Sequence, residues 1–119
     1  MKEKFQYNFE RLKCWEEILK LIEIVYKFSK RLPEEEKFGL VSQLKRAVTS
    51  IGLNLAEGSA SKNKKIFACY LENSIRSLYE VIGILKISKR LFNLEIRKEI
   101  DQCNLVHKLL QGLLKKIKH

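Results

Sequence analysis

Apolar residues recur along this chain at three- and four-residue steps, the spacing that lines one face of an α-helix. In the opening quarter Leu12, Trp15, Ile18, Leu19, Ile22, Val25 and Tyr26 form such a stripe. It predicts a first helix from about Phe9 to Arg31, with Asn8 as its cap. Pro33 breaks that helix. Followed by Glu34, Glu35 and Glu36, it opens a second whose first turn sets acids against the positive end of the helix dipole. Leu40, Leu44, Ala47, Val48, Ile51 and Leu55 carry the second helix to about Glu57, where Gly58 is expected to supply a left-handed cap. After a polar connection from Ser59 to Lys65, a third helix spans about Lys64 to Leu91. It carries Ile66, Phe67, Tyr70, Leu71, Ser74, Leu78, Val81 and Leu85 on one side. A turn at Phe92-Asn93 leads to the fourth, where Ile96, Ile100, Cys103, His107, Leu110, Leu114 and Ile117 alternate by four and three. No alternating β-branched stretch competes. The fold class is all-α, and short connections between long helices predict an antiparallel, up-down-up-down four-helix bundle.

The second helix carries a second stripe. At about 100° per residue, Gln43, Arg46, Ser50, Asn54 and Glu57 fall within roughly 80° of one another. A solvated face would be filled with Lys and Glu, whereas this one holds amide, hydroxyl and isolated charged groups. The pattern predicts a semi-buried polar seam against the third helix, where Ser77 and Glu80 flank the apolar arc. The expected arrangement pairs Arg46 with Glu80, with Ser77 and Asn54 completing a hydrogen-bond network. Losing one member of such a desolvated pair would cost about 3–5 kcal/mol. A catalytic cleft made of the same groups would need a companion nucleophile, a second clustered carboxylate or metal-ligand spacing, and none is present. No catalytic residue, metal ligand or cofactor is therefore assigned, and the protein is expected not to be an enzyme. His107, in mid-face, reads as a core residue bonded to a neighbouring helix, and His119 as a frayed end. Ser50, Ser74 and Ser77 lack the strained turn that would make a nucleophile.

With 119 residues, one proline and five glycines, the chain reads as a single domain, 1–119, without a flexible linker. A monomer of this size buries only about two-thirds of its unfolded surface, which favours self-association. Twenty-four basic residues against 14 acidic ones give a net charge of +10. That balance suits RNA, DNA or an acidic protein, and equally a lysine-rich solvated surface. Lys62, Lys64 and Lys65 cluster beside the start of the third helix, where free N–H groups would favour anions. Lys115, Lys116 and Lys118 share that pole of an antiparallel bundle, and Lys86, Lys89 and Arg90 occupy the other. The loop lacks the GxxxxGK[ST] spacing of a nucleotide-binding site, so nonspecific phosphate contacts are the functional expectation. Cys14, Cys69 and Cys103 are odd in number and lack CxxC spacing, which points to buried reduced thiols rather than disulfides or zinc. The charged start MKEKFQYNFE is not a signal peptide, and no apolar run approaches the roughly 20 residues a bilayer requires. A soluble cytoplasmic protein with no membrane partner is expected.

The segments Phe38-Gly39-Leu40, Gln43-Leu44-Lys45-Arg46-Ala47, Ser50-Ile51, Asn54-Leu55-Ala56-Glu57-Gly58 and Ser77-Leu78-Tyr79-Glu80 resemble a known family. It comprises the bacterial four-helix-bundle proteins encoded in intervening sequences of 23S ribosomal RNA genes, relatives of the accessory variability protein of diversity-generating retroelements. The resemblance extends to Trp15, Pro33 and Leu109-Leu110-Gln111-Gly112-Leu113. It implies assembly into a homopentameric barrel. For the retroelement relatives it also implies binding to nucleic acid and to a reverse transcriptase. A scaffold for a protein partner, with no nucleic-acid role, is the alternative. Gly52, Arg76 and Ser61 depart from the family pattern, in which proline, glycine and arginine are usual.

Overall fold

In the computed structural model, which describes residues 7–118, four helices carry the chain. They are α1 (Lys13–Ser29), α2 (Leu40–Ser59), α3 (Lys64–Phe92) and α4 (Arg97–Lys118), with 3₁₀ turns at Asn8–Arg11 and Glu34–Glu36. No strand occurs among the described residues. The expectations for residues 1–6 and for His119 lie outside this range. Around the bundle α2 packs on α3, α3 on α4, and α1 on both α2 and α4. Ile18, Leu21, Phe28, Leu44, Ile51, Leu55, Leu78 and Leu110 are among the side chains withdrawn completely from solvent. At about 1.5 Å per residue, the 29 residues of α3 span the 43 Å length of the molecule. No described helix is long and apolar enough to cross a membrane.

The helix ends correct the sequence reading in several places. Asn8 does not cap α1. It lies inside the first 3₁₀ turn, and the extended backbone at Leu12 separates that turn from the helix. The Phe9 ring meets Trp15 edge-on at 4.6 Å and holds the turn against α1. Nor does α2 begin at Pro33. The three glutamates form their own 3₁₀ turn, and α2 starts after Gly39. One of them still serves the helix, because the Glu36 carboxylate accepts the Leu40 N–H at 3.2 Å.

Gly58 is not a left-handed cap. No described glycine has positive φ, and α2 closes with Ala60 in right-handed geometry. Gly58 is required for a different reason. A Cβ there would lie 2.5 Å from Cβ of Tyr70 and 3.0 Å from Cδ1 of Phe67, so its bare backbone lets α2 approach α3. The left-handed position belongs to Asn93 (φ 53°), which ends α3 and allows α4 to begin four residues later. On α3, Asn63 caps the helix by accepting the N–H groups of Lys65 (2.9 Å) and Ile66 (3.2 Å).

Two polar details mark the interior. The Gln102 amide of α4 donates to the Glu17 carbonyl (2.9 Å) and carboxylate (3.1 Å) of α1. That bond holds the Glu17 carboxyl below the ordinary carboxylate range. Cys14 and Cys103 are buried, but Cys69 is exposed, which corrects the expectation of three buried thiols. Burial pushes the Cys14 thiol up to about 11 and the Cys103 thiol up to about 12, the latter helped by the nearby negative charge of Glu99.

Two outcomes follow for stability. Gly58→Ala should destabilise the fold by about 1–3 kcal/mol through overpacking. Gly112→Ala, with nothing within 4 Å of the added methyl, should stabilise it by up to about 1 kcal/mol; urea midpoints separate the two. The folded thiol values of Cys14 and Cys103 exceed the ordinary 9.0. Their contribution is therefore complete below pH 9.0 and lost as pH rises toward about 11 and about 12. A Cys14→Ala/Cys103→Ala variant should lose less stability than the parent between about pH 8 and about pH 10.5 in thermal melts.

Candidate functional site

Where α2 meets α3, the contact is lined by small polar side chains bonded across it. Ser74, fully buried, donates its hydroxyl to the Ile51 carbonyl at 2.9 Å. One helical turn later, Ser77 donates to the Ser50 hydroxyl at 3.0 Å. The Asn54 amide donates to the Ser50 carbonyl (2.9 Å) and hydroxyl (3.1 Å). Ser50, Asn54 and Ser77 are half-buried and form one chain of hydrogen bonds.

The remaining seam residues do not join it. Gln43, Arg46, Glu57 and Glu80 are exposed, and no ion pair links Arg46 to Glu80. The ion pairs among the described residues are Lys20–Glu17 and Lys118–Glu72. The reason is geometric. Short serine side chains make the cross-helix bonds, and the long side chains of the stripe lie outside them at the surface, where water solvates them. The expected 3–5 kcal/mol for an Arg46–Glu80 pair therefore does not apply. Ser74, which the sequence places among apolar positions, is the buried member. Its spacing of three from Ser77, opposite Ser50, was the available signal.

His107 is half-buried, with its ring edge-on to Tyr79 of α3 at 5.5 Å. Its hydrogen-bond partner is Gln111 of its own helix, at 3.3 Å, rather than a group on a neighbouring one. No group of three or more His, Cys, Asp or Glu side chains among the described residues is placed to hold a metal ion.

The basic residues are arranged more informatively. Lys64 and Lys65 from the start of α3 and Lys118 from the end of α4 line one cleft of about 440 Å³, with Glu72 on its wall. Lys118 lies 3.7 Å from Glu72, with both side chains about half exposed (51% and 47%), so the pair adds little stability. Lys62, Lys115 and Lys116 are exposed nearby in sequence, but none of them lines the cleft. The α3 amides expected to be free for anions at this pole are partly occupied, since Asn63 takes two of them. Attraction for anions here comes from the ammonium groups. Elsewhere, the outward face of α2 carries only scattered charge. Arg46 and Glu57 stand among Gln43, Thr49, Ala56 and Leu53, the last 62% exposed.

Residues 10–115 match the family model described as 23S rRNA-intervening sequence protein. A solved structure from Bacteroides thetaiotaomicron, described as a protein with unknown function from the S23 ribosomal protein family, shares the fold. Its TM-score is 0.75 at 21% identity, over 86% of this chain and 98% of that one. No curated protein matches in sequence. Of the positions expected from the resemblance to depart from the family pattern, Arg76 is exposed on α3, and Gly52 is buried, where an added Cβ would lie 3.3 Å from Trp15.

The seam geometry sets different costs for its members. Ser74→Ala should destabilise by about 1 kcal/mol, whereas Arg46→Met should remain within about 0.5 kcal/mol of the parent. Chemical denaturation of the two variants tests the assignment, and a larger loss for Arg46→Met would contradict it.

Proposed function

Because this chain belongs to the 23S rRNA-intervening sequence protein family, we propose that it is a non-enzymatic, oligomeric helical bundle of the cytoplasm that binds RNA or DNA through basic surface. The observation that carries this reading is the convergence of Lys64, Lys65 and Lys118 on one cleft, in a chain of net charge +10. Lys62, Lys115 and Lys116 extend the same basic pole. Flexible ammonium groups suit phosphates of any sequence, so binding is electrostatic and salt-dependent.

The bundle is read as antiparallel, up-down-up-down. Supporting this, Gly58 of α2 lies against Tyr70 of α3, while Ser50 meets the later residue Ser77. Likewise Lys118 of α4 reaches Glu72 of α3, while His107 meets Tyr79. Assembly into a homopentameric barrel is proposed through the charge-poor outward face of α2, whose exposed Leu53 is an apolar side chain available to a second copy. The same face favours a second reading, an interaction scaffold for another protein (a reverse transcriptase in a retroelement setting) with no nucleic-acid role.

Retardation of a structured RNA across a salt series separates these readings. The expected log–log slope is about −4, for about five neutralised phosphates, and it should become shallower by about 2 in Lys64→Gln/Lys65→Gln/Lys118→Gln. No retardation in low-salt buffer would remove the nucleic-acid reading and leave the scaffold. Native mass spectrometry should show one closed oligomer, and a monomer at micromolar concentration would remove the assembly.

A further inference from the structure

A concavity lies at the corner where α3 turns into α4, away from the cleft that contains Lys118. This open cleft has a volume of about 890 Å³, within the range of about 300–1,000 Å³ typical of small-molecule sites. Four cations line it: Lys86, Lys89 and Arg90 from the last turns of α3, and Arg97 from the first turn of α4. Residue order alone puts Lys86, Lys89 and Arg90 at one pole, and only the fold adds Arg97. The left-handed Asn93 folds α4 back so that cations from two helices border one space.

We propose that this corner binds adjacent phosphate groups, as carried by an RNA strand or by a free polyphosphate or nucleotide. Identifying RNA as the bearer rests on the nucleic-acid reading above; the phosphate site itself does not.

Three features support the assignment. First, none of the four cations has an ion-pair partner among the described residues, although Glu95 and Asp101 line the same cleft. Glu95 is committed elsewhere, because its Oε1 accepts the N–H groups of Ile96 and Arg97, both at 3.1 Å. Four cations against two carboxylates leave the lining with a net charge of +2, 4 minus 2. Second, Ile96, 5% exposed, and half-buried Ile100 also line the cleft. Their apolar surface lowers the local dielectric and strengthens attraction to an anion. Third, two of the cations are arginines, whose planar forks match phosphate oxygens in pairs. Because Glu95 occupies amides at the start of α4, the proposed site is made of side chains and owes nothing to a free helix end.

The test adds tripolyphosphate to the full chain and follows the δ-methyl NMR signals of Ile96 and Ile100. Both should shift. Arg90→Gln/Arg97→Gln, checked for an unchanged circular dichroism spectrum and melting temperature, should weaken binding at least about tenfold. Lys108→Gln, at an exposed cation that lines neither cleft, should leave it unchanged. Methyls that do not move, or an affinity indifferent to the arginine changes, would overturn the site even if RNA binds at the other pole. A polyglutamate peptide binding more tightly than tripolyphosphate would also overturn it, assigning the cleft to an acidic protein segment. A single-stranded RNA that moves the same methyls would identify the bearer as a polynucleotide. Shifts with tripolyphosphate but no binding of any RNA would support the site while refuting the nucleic-acid reading.

Discussion

The rest of the molecule is organised around the distance between α2 and α3. Gly58 admits Tyr70 and Phe67 where a methyl group would collide with them. Along the same contact, Ser74 and Ser77 bond to Ile51 and Ser50 with side chains only two heavy atoms long. Close approach makes these short bonds reachable. The bonds in turn satisfy hydroxyls that would otherwise be buried without partners, at a cost of about 1–3 kcal/mol each. Glycine and serine on this face are therefore one device. Replacing either by a larger side chain would separate the helices and break the chain of hydrogen bonds.

This close contact also determines which groups remain available for function. Arg46 and Glu80 are the groups that the sequence alone would place there as a buried pair. The fold leaves both at the surface, along with Gln43 and Glu57. The α2 face thus combines a hydrogen-bonded inner edge with an outer surface of few charges. The cations lie elsewhere, in clefts at which α3 and α4 meet, and they come from different parts of the chain. Lys64 and Lys118 are neighbours in space because α4 reaches back to the start of α3. Arg97 joins Lys89 and Arg90 because of one left-handed residue. Charge alone did not predict this grouping, since isolated surface lysines would give the same composition.

Helix number, approximate extent and buried faces were legible from residue spacing because a 3.6-residue period translates directly into a face. On α3, Leu71, Leu78 and Leu85 are buried as that period requires. On α1 the buried face is Cys14, Ile18, Leu21, Val25 and Phe28, so the expected stripe held Ile18 and Val25 but missed Leu21 and included Tyr26, which is 39% exposed. Helix boundaries were less legible. Pro33 and three glutamates suit a helix start in isolation, yet a 3₁₀ turn and Gly39 intervene before α2. Gly58 sits at the right place for a cap, but it serves packing instead. Glycine permits both left-handed backbone and close contact, and the local pattern cannot distinguish them.

The candidate site divides in the same way. The amino-acid order was sufficient to pick out Ser50, Asn54 and Ser77 as unusual for a solvated face and to locate the lysine clusters near helix ends, because these are one-dimensional properties of composition and phase. Folding alone selected the short side chains for the α2–α3 contact, left Arg46 outside, and brought Lys64, Lys65 and Lys118 to one cleft and Arg97 with Lys86, Lys89 and Arg90 to another. Those outcomes depend on the spacing and rotation of helices around a shared core. That spacing is set by the summed packing of many side chains, a quantity that no single segment of the chain contains.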